Sequence, residues 1–451
     1  MVLVLLCGLA VPAAAPVGSP ALFSPLAPEL SAALAHEPAD AAAAVYRSQA
    51  YRPIWVRGWT LRPEAERFAA VLETAADDGL DPERYGPARL KALIATARRT
   101  GAPADVVRAE LALSGALAAY GSDLHTPLRA ADITFTDPAV ARPSYAPRAV
   151  LAFAAGAPDL GAAIAEIRRM SPPYVALRQA LAAARAAGAP LARRQLILAN
   201  LERARALPAD LGRRYLLVDV AAQELRLYDD DRVVDSMPVV VGKLSEPTPS
   251  MAGLIRYAVL RPYWNVPPDL VRNTVAPAVL RQGVSYLTGQ NMEVLSDWSP
   301  QAVALDPTQV DWAAVAAGDV ALRVRQRPGG QNMMGKVKFI FPNPLGVYLH
   351  DTPLKALFAG ARRTESAGCV RLADAPRLAR WLAPDAARRL DEPGEPETRV
   401  DLPTPIPVYL VYFTVAPSPD GQAVVTRKDI YGRDAVLTAG LRDRQPTRAA
   451  A

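Results

Sequence analysis

Two stretches in the last quarter of the chain hold residue types that can do chemistry together. The first reads Gly346-Val-Tyr348-Leu-His350-Asp-Thr-Pro353, and the second Ser366-Ala-Gly368-Cys369-Val-Arg371-Leu372. A thiol that attacks a carbonyl needs a base to make the thiolate and N–H donors for the oxyanion that forms. His350 falls at the end of a predicted strand, where alternation can turn its side chain out of the sheet's core. Gly368 allows backbone to come close to a substrate, and the N–H groups of Gly368 and Cys369 can form an oxyanion hole. Cys369 lies 19 residues after His350, enough chain to double back and bring thiol and imidazole within hydrogen-bond reach. One Cys and one His alone also fit a plainer reading, a small buried thiol and a satisfied strand-end imidazole.

Composition narrows the field. The 451 residues include two Cys and three His. That scarcity excludes a disulfide-stapled scaffold, a zinc-finger array and a multi-cysteine iron–sulfur protein. Thiol chemistry is confined to Cys7 or Cys369, and imidazole chemistry to His36, His125 or His350. Three widely separated His do not give the ligand spacing of a metal site, so no metal and no cofactor is expected. The net charge is +6, with Lys and Arg scattered rather than gathered in a stripe. Nucleic acid is therefore poorly supported as a partner, whereas an anionic polymer outside the cytoplasm suits the balance.

The elements that must position the two stretches can be read from the pattern of the chain. Met1–Val11 is apolar but shorter than the roughly 20 residues of a membrane span, and Ala13–Ala15 come after it. Residues 1–20 read as a secretory signal peptide, with the cleavage point left open by Pro16 and no Lys or Arg ahead of the apolar run. Export would remove Cys7 and leave Cys369 as the mature chain's thiol. Residues 41–190 are helical in pattern. In Pro63–Gly79, Phe68, Val71, Leu72 and Ala75 make one apolar face, and Val106–Tyr120 repeats the spacing. Residues 191–208 are a further helix that connects the helical half to the C-terminal half. From about residue 210 the period becomes that of strands: Tyr215–Val220, Glu224–Tyr228, Val233–Val241, Ile255–Trp264, Val337–Phe341, Gly346–His350 and Ile406–Val415. Residues 266–330 are polar and Pro-interrupted with few strand signals, as for an insertion that folds over something. Asp374–Leu382 is a short helix with Asp374 at its cap. The fold class is multidomain α+β: an all-α N-terminal domain, then a mainly-β domain over about 210–435 with an inserted lid.

Taken together, His350 and Ser366-Ala-Gly368-Cys369-Val-Arg371 resemble the active-site signature of the L,D-transpeptidases with a YkuD-type fold. Arg261-Pro-Tyr-Trp264-Asn265-Val-Pro-Pro268, Asn291–Leu295, Leu322–Pro328 and Lys338–Asn343 are similar to the large, lidded subfamily of Gram-negative bacteria. Tyr46–Trp55 and Asp78–Pro82 resemble its helical scaffold domain. The resemblance implies a sandwich-like catalytic domain, a peptidoglycan stem peptide as partner, and other cell-wall enzymes as further candidate partners. Cys369 would attack the meso-diaminopimelate carbonyl of a tetrapeptide, D-Ala would leave, and an acceptor amine would resolve the thioester into a 3-3 cross-link. It makes His350 the base, Gly368 part of the oxyanion hole, and Arg371 an organiser that can meet a substrate carboxylate. Tyr348, Ser366, Trp264 and Asn265 become candidate substrate-binding residues, and carbapenems become expected acylating agents of Cys369. The periplasm is the implied compartment. Two departures stand out. Ala367 replaces the His or Ser of many members, and no room remains between residues 178 and 193 for a peptidoglycan-binding module. Hydrolysis of the thioester to trim the stem, or wall binding without catalysis, are the alternatives.

Overall fold

The computed structural model describes residues 24–35, 41–418 and 423–444. The predicted signal peptide, Cys7 and His36 lie outside them. The chain divides into two compact units. The first takes in the residues up to Thr74, Pro82–Ser122 and Tyr145–Ile167; the second holds Ala75–Asp81, Asp123–Ser144 and everything from Arg168 on.

The first unit is mainly helical, as its period predicts, with one short hairpin of Val56–Arg57 and Thr60–Leu61. In the helix Glu64–Glu73, Phe68 and Leu72 are buried and Val71 half-buried. Phe68 packs against Trp55 and Tyr120, at ring separations of 5.4 and 6.2 Å. A carboxylate sits at the bottom of this core. Glu110 accepts hydrogen bonds from the Tyr46 hydroxyl (2.6 Å) and the backbone N–H groups of Ile54 (2.5 Å) and Trp55 (3.0 Å). Burial nevertheless raises its pKa to about 7, against the opposing pull of those donors and the more distant Arg62. A carboxyl whose folded pKa lies above its unfolded one stabilises the fold when protonated. That stability is complete below the ordinary carboxylate pKa and is lost as pH rises towards 7, by about 3 kcal/mol in all. The melting temperature of this unit should fall between pH 4.5 and 7 and level off above, and Glu110→Gln should flatten the dependence; thermal scans across that range check it.

The second unit is built on a ten-stranded sheet. Its strands in chain order are β1 (Thr134–Phe135), β2 (Arg214–Asp219), β3 (Glu224–Asp229), β4 (Arg232–Gly242), β5 (Met251–Leu260), β6 (Val337–Ile340), β7 (Leu349–His350), β8 (Thr364–Ser366), β9 (Val370–Leu372) and β10 (Thr398–Val411). The spatial order is β6-β7-β9-β4-β3-β2-β10-β5-β1, β8 lies on β4, and a further β6–β5 pairing closes the sheet on itself. Leu216, Leu225, Val239, Ile255, Phe339 and Leu349 are among the residues filling its interior, all fully buried. The acidic triplet Asp229–Asp231 is the β3–β4 hairpin turn. Asp230 and Asp231 adopt φ of 48° and 59°, which short polar side chains tolerate best among non-glycine residues. β5 ends at Leu260, short of the predicted Trp264, because Arg261 turns left-handed at φ 50° and Pro262 cannot donate to a ladder.

The helix Leu191–Arg205 is more than a connector. It lies inside the second unit with Asn200, Glu202, Arg203 and Arg205 all buried. Each is partnered: Asn200 Oδ1 accepts from Thr414 N–H (2.8 Å), Arg203 Nη1 meets Asp434 (2.6 Å), and Arg205 bonds Glu202 (2.9 Å) and the Leu124 carbonyl (2.7 Å). The insertion carries more strand than its sequence suggests. Trp264–Asn265, Arg323–Gln326 and Met292–Leu295 form a small antiparallel sheet. Its strands are short and broken by polar residues such as Asn265, Arg323 and Gln326, a weak strand signal, and Glu293 opposite Arg325 supplies the cross-strand pairing. Val266, Val271, Val279, Leu287, Trp312 and Val315 give the insertion its own core. No helix among the described residues is long and apolar enough to cross a membrane.

Candidate active site

The pairing of β7 with β9 brings the two sequence stretches together. The strands run parallel, with Leu349 opposite Val370 and His350 opposite Arg371. Leu349 and Val370 are fully buried and point into the core, so His350 and Arg371 share the opposite face. Tyr348 and Cys369, two residues back on each chain, lie on that face too. The Val370 N–H donates to the Tyr348 carbonyl at 3.1 Å, which fixes this end of the pairing. The result is a two-by-two cluster of Tyr348, His350, Cys369 and Arg371, with the Tyr348 and His350 rings edge to face at 5.8 Å.

Cys369 is a half-buried free thiol. Its Sγ lies 3.6 Å from the Gly346 carbonyl oxygen. Burial pushes its pKa up, while the Tyr348 backbone N–H and the charge of Arg371 work in the other direction. His350 is buried, and its Nδ1 lies 2.6 Å from the Asp351 carbonyl oxygen. A carbonyl can only accept, so Nδ1 carries the proton and Nε2 is left with its lone pair. Burial, then the charges of Arg371 and Lys338, lower the imidazole's pKa to about 3. The resting pair is therefore a protonated thiol beside a neutral imidazole. The Arg371 side chain makes no hydrogen bond or ion pair among the described residues, and its Nε is buried without an acceptor. A partly buried guanidinium with no hydrogen-bonded partner, although the charge of Glu365 acts on it from further off, can receive an anion.

The loop before the thiol is held from behind. Gly368 has φ 100°, a conformation in which a side chain would be strained. Its carbonyl accepts from Thr248 Oγ1 (2.9 Å), which in turn accepts from the Gly242 N–H (2.9 Å). The Gly368 N–H donates to Ser366 Oγ (3.2 Å), and the Ser366 hydroxyl donates to the Cys369 carbonyl (2.5 Å). Two expectations change. The Gly368 N–H is already bonded, so of the expected oxyanion donors the unbonded one is the Cys369 N–H. Ser366 is buried and its hydroxyl is used up stapling the loop, which makes it a support rather than a substrate contact. Trp264 and Asn265 also find their partners within the insertion. Trp264 is partly buried against the insertion's core, and Asn265 Oδ1 accepts from Arg323 Nη2 at 3.2 Å. His125 is buried at the end of the helix Pro103–His125. Thr248 carries no sequence signal of its own; it sits between Pro247 and Pro249 in an irregular connection, and only the folded loop shows what it holds.

Residues 213–408 match the L,D-transpeptidase catalytic domain of the YkuD family, and residues 40–181 match the Scaffold domain. A Haemophilus influenzae protein that carries the L,D-transpeptidase name provisionally is 31% identical over 252 residues, covering 53% of this chain and 48% of its own. The match thus spans about half the length of that curated relative. An L,D-transpeptidase from Mycobacterium smegmatis matches 44% of this chain and 58% of its own at 16% identity and TM-score 0.22. One from Enterococcus faecium matches 46% and 52% at 14% identity and TM-score 0.21. The catalytic-domain match spans β2 to most of β10, and so both strands that carry the four-residue cluster: the chain bears a YkuD-type L,D-transpeptidase catalytic domain behind an N-terminal scaffold domain.

Proposed function

We propose that the protein is an exported peptidoglycan L,D-transpeptidase acting in the periplasm. The observation that carries this reading is the cluster itself, with a free thiol, a neutral imidazole fixed in one tautomer and an unpaired guanidinium on one face of two adjacent strands. Cys369 loses its proton to His350 Nε2 as the sulfur attacks the diaminopimelate carbonyl of a tetrapeptide stem. The oxyanion that forms is met by the Cys369 N–H. The C–N bond to D-Ala then breaks, and the imidazolium returns its proton to the leaving amine. An acceptor amine attacks the resulting thioester, passes a proton to His350, and the thiolate leaves with it. The product is a 3-3 cross-link and a regenerated thiol. Arg371 is placed to hold a stem carboxylate. Tyr348 contributes its backbone N–H to the sulfur and its ring to one wall of the site.

Incubation of the full chain with tetrapeptide muropeptides tests this. Mass spectrometry should show tripeptide–tetrapeptide dimers and released D-Ala. Tripeptides without dimers would make it a hydrolase, and unchanged substrate would refute the reading.

A further inference from the structure

We propose that the side chain of Asp351 is a positioning residue for the base: it locks the peptide carbonyl that orients His350 and ties it to the root of the inserted lid. The inference rests on the acyl-transfer reading, but its own observations are separate. Acyl transfer needs only the Asp351 carbonyl, which any residue would supply. The structure nonetheless buries a carboxylate there, at 6% exposure, and partners both its oxygens. Burying such a group is costly unless it is bonded.

Its bonds lead to three segments. Oδ2 accepts the Lys336 backbone N–H at 2.9 Å, and the Asp351 N–H donates to the Val337 carbonyl at 2.9 Å. Oδ1 accepts Lys355 Nζ at 2.7 Å, and that ammonium also donates to the Ala373 carbonyl at 3.0 Å, two residues beyond Arg371. The third link is the His350 Nδ1 contact to the carbonyl of the same residue. The carboxylate occupies a slot that a glycine leaves open. Gly335 has φ 60°, and a Cβ there would collide with the Asp351 carboxylate. Lys336 is the last residue before β6, where the chain returns from the insertion. Just ahead of it, buried Asn332 donates to the carbonyls of Pro262, Gln326 and Arg327 at 3.1, 3.2 and 2.9 Å, and so gathers both ends of the insertion. A displacement of the lid's root therefore reaches the imidazole through one side chain.

The test uses the full chain and its Asp351→Ala, Asp351→Asn and Gly335→Ala variants. Acylation of Cys369 by a carbapenem is followed by intact mass, together with the ¹⁵N spectrum of labelled histidine. Three His in the whole sequence keep that spectrum readable. The wild type should show one neutral imidazole protonated at Nδ1. Asp351→Ala should slow acylation by about 10- to 100-fold at saturation, with half-saturation moved far less, and give mixed tautomers. Asp351→Asn retains an acceptor for the Lys336 N–H and should recover part of the rate. Gly335→Ala should resemble Asp351→Ala, and the double variant should be no slower than the worse single. Wild-type rate and tautomer in Asp351→Ala would overturn the inference. So would a lower melting temperature with an unchanged tautomer, the mark of a merely structural role. If the wild type itself takes no acyl group, the acyl-transfer reading fails, and the tautomer measurement alone decides the positioning role.

Discussion

With Cys369 replaced by Ala, the chain forms no acyl-enzyme and no transferred product, a loss of at least about 10⁴-fold, while its fold is unchanged. No other cysteine lies among the described residues, and Cys7 lies at the head of the predicted export segment. The thiol is half-buried, makes no disulfide, and is held by the Tyr348 backbone N–H and a 3.6 Å contact to the Gly346 carbonyl. Its truncation should cost about 1 kcal/mol or less, so melting temperature and circular dichroism should match the wild type. A variant that kept turnover would place the nucleophile elsewhere.

His350→Gln should lower acylation by about 10²- to 10⁴-fold, the range a positioned general base contributes. The cause is visible in the resting charges. Burial disfavours the thiolate, so little of it exists at neutral pH without a base to take the proton as the sulfur attacks. The pH profile gives a second reading. The imidazole's pKa is lowered to about 3 by burial and two nearby cations. A base that is neutral down to such pH should give wild-type acylation an acid limb far below the usual histidine value of roughly 6.5. The linkage has the same sign. A folded pKa below the unfolded one means stability present above the ordinary histidine range and lost as pH falls towards 3. In His350→Gln the rate should instead climb with pH across the range, as free thiolate forms. Rates by intact mass between pH 4 and 9 check both, and an ordinary limb near 6.5 would contradict the buried, neutral imidazole.

The site was legible in the sequence where its chemistry sits in two short motifs and a strand's alternation aims them. The motifs name His350, Cys369 and Arg371 as candidates, and the β7–β9 register places them on one face. The family resemblance added the substrate class, which spacing could not. What stayed hidden depends on who bonds whom. Nothing in the sequence says that Ser366 spends its hydroxyl on the loop, that the Gly368 N–H is taken, or that Thr248 holds the Gly368 carbonyl from a turn more than a hundred residues upstream. The buried helix Leu191–Arg205 misled for a related reason. The sequence shows it only as a connecting helix, and only long-range partners such as Thr414, Asp434 and Leu124 let its four polar residues be buried. The insertion hid its strands because each is only two to four residues long, too short to mark a period.

The decisive measurement is an acid-quenched reaction of the full chain with a tetrapeptide stem, read by intact mass and peptide mapping. A nucleophilic Cys369 predicts a transient mass gain equal to the tripeptidyl acyl group, confined to the peptide containing Cys369 and discharged when an amine acceptor is added. Product formation with Cys369 unmodified throughout, or an adduct on any other residue, would contradict it.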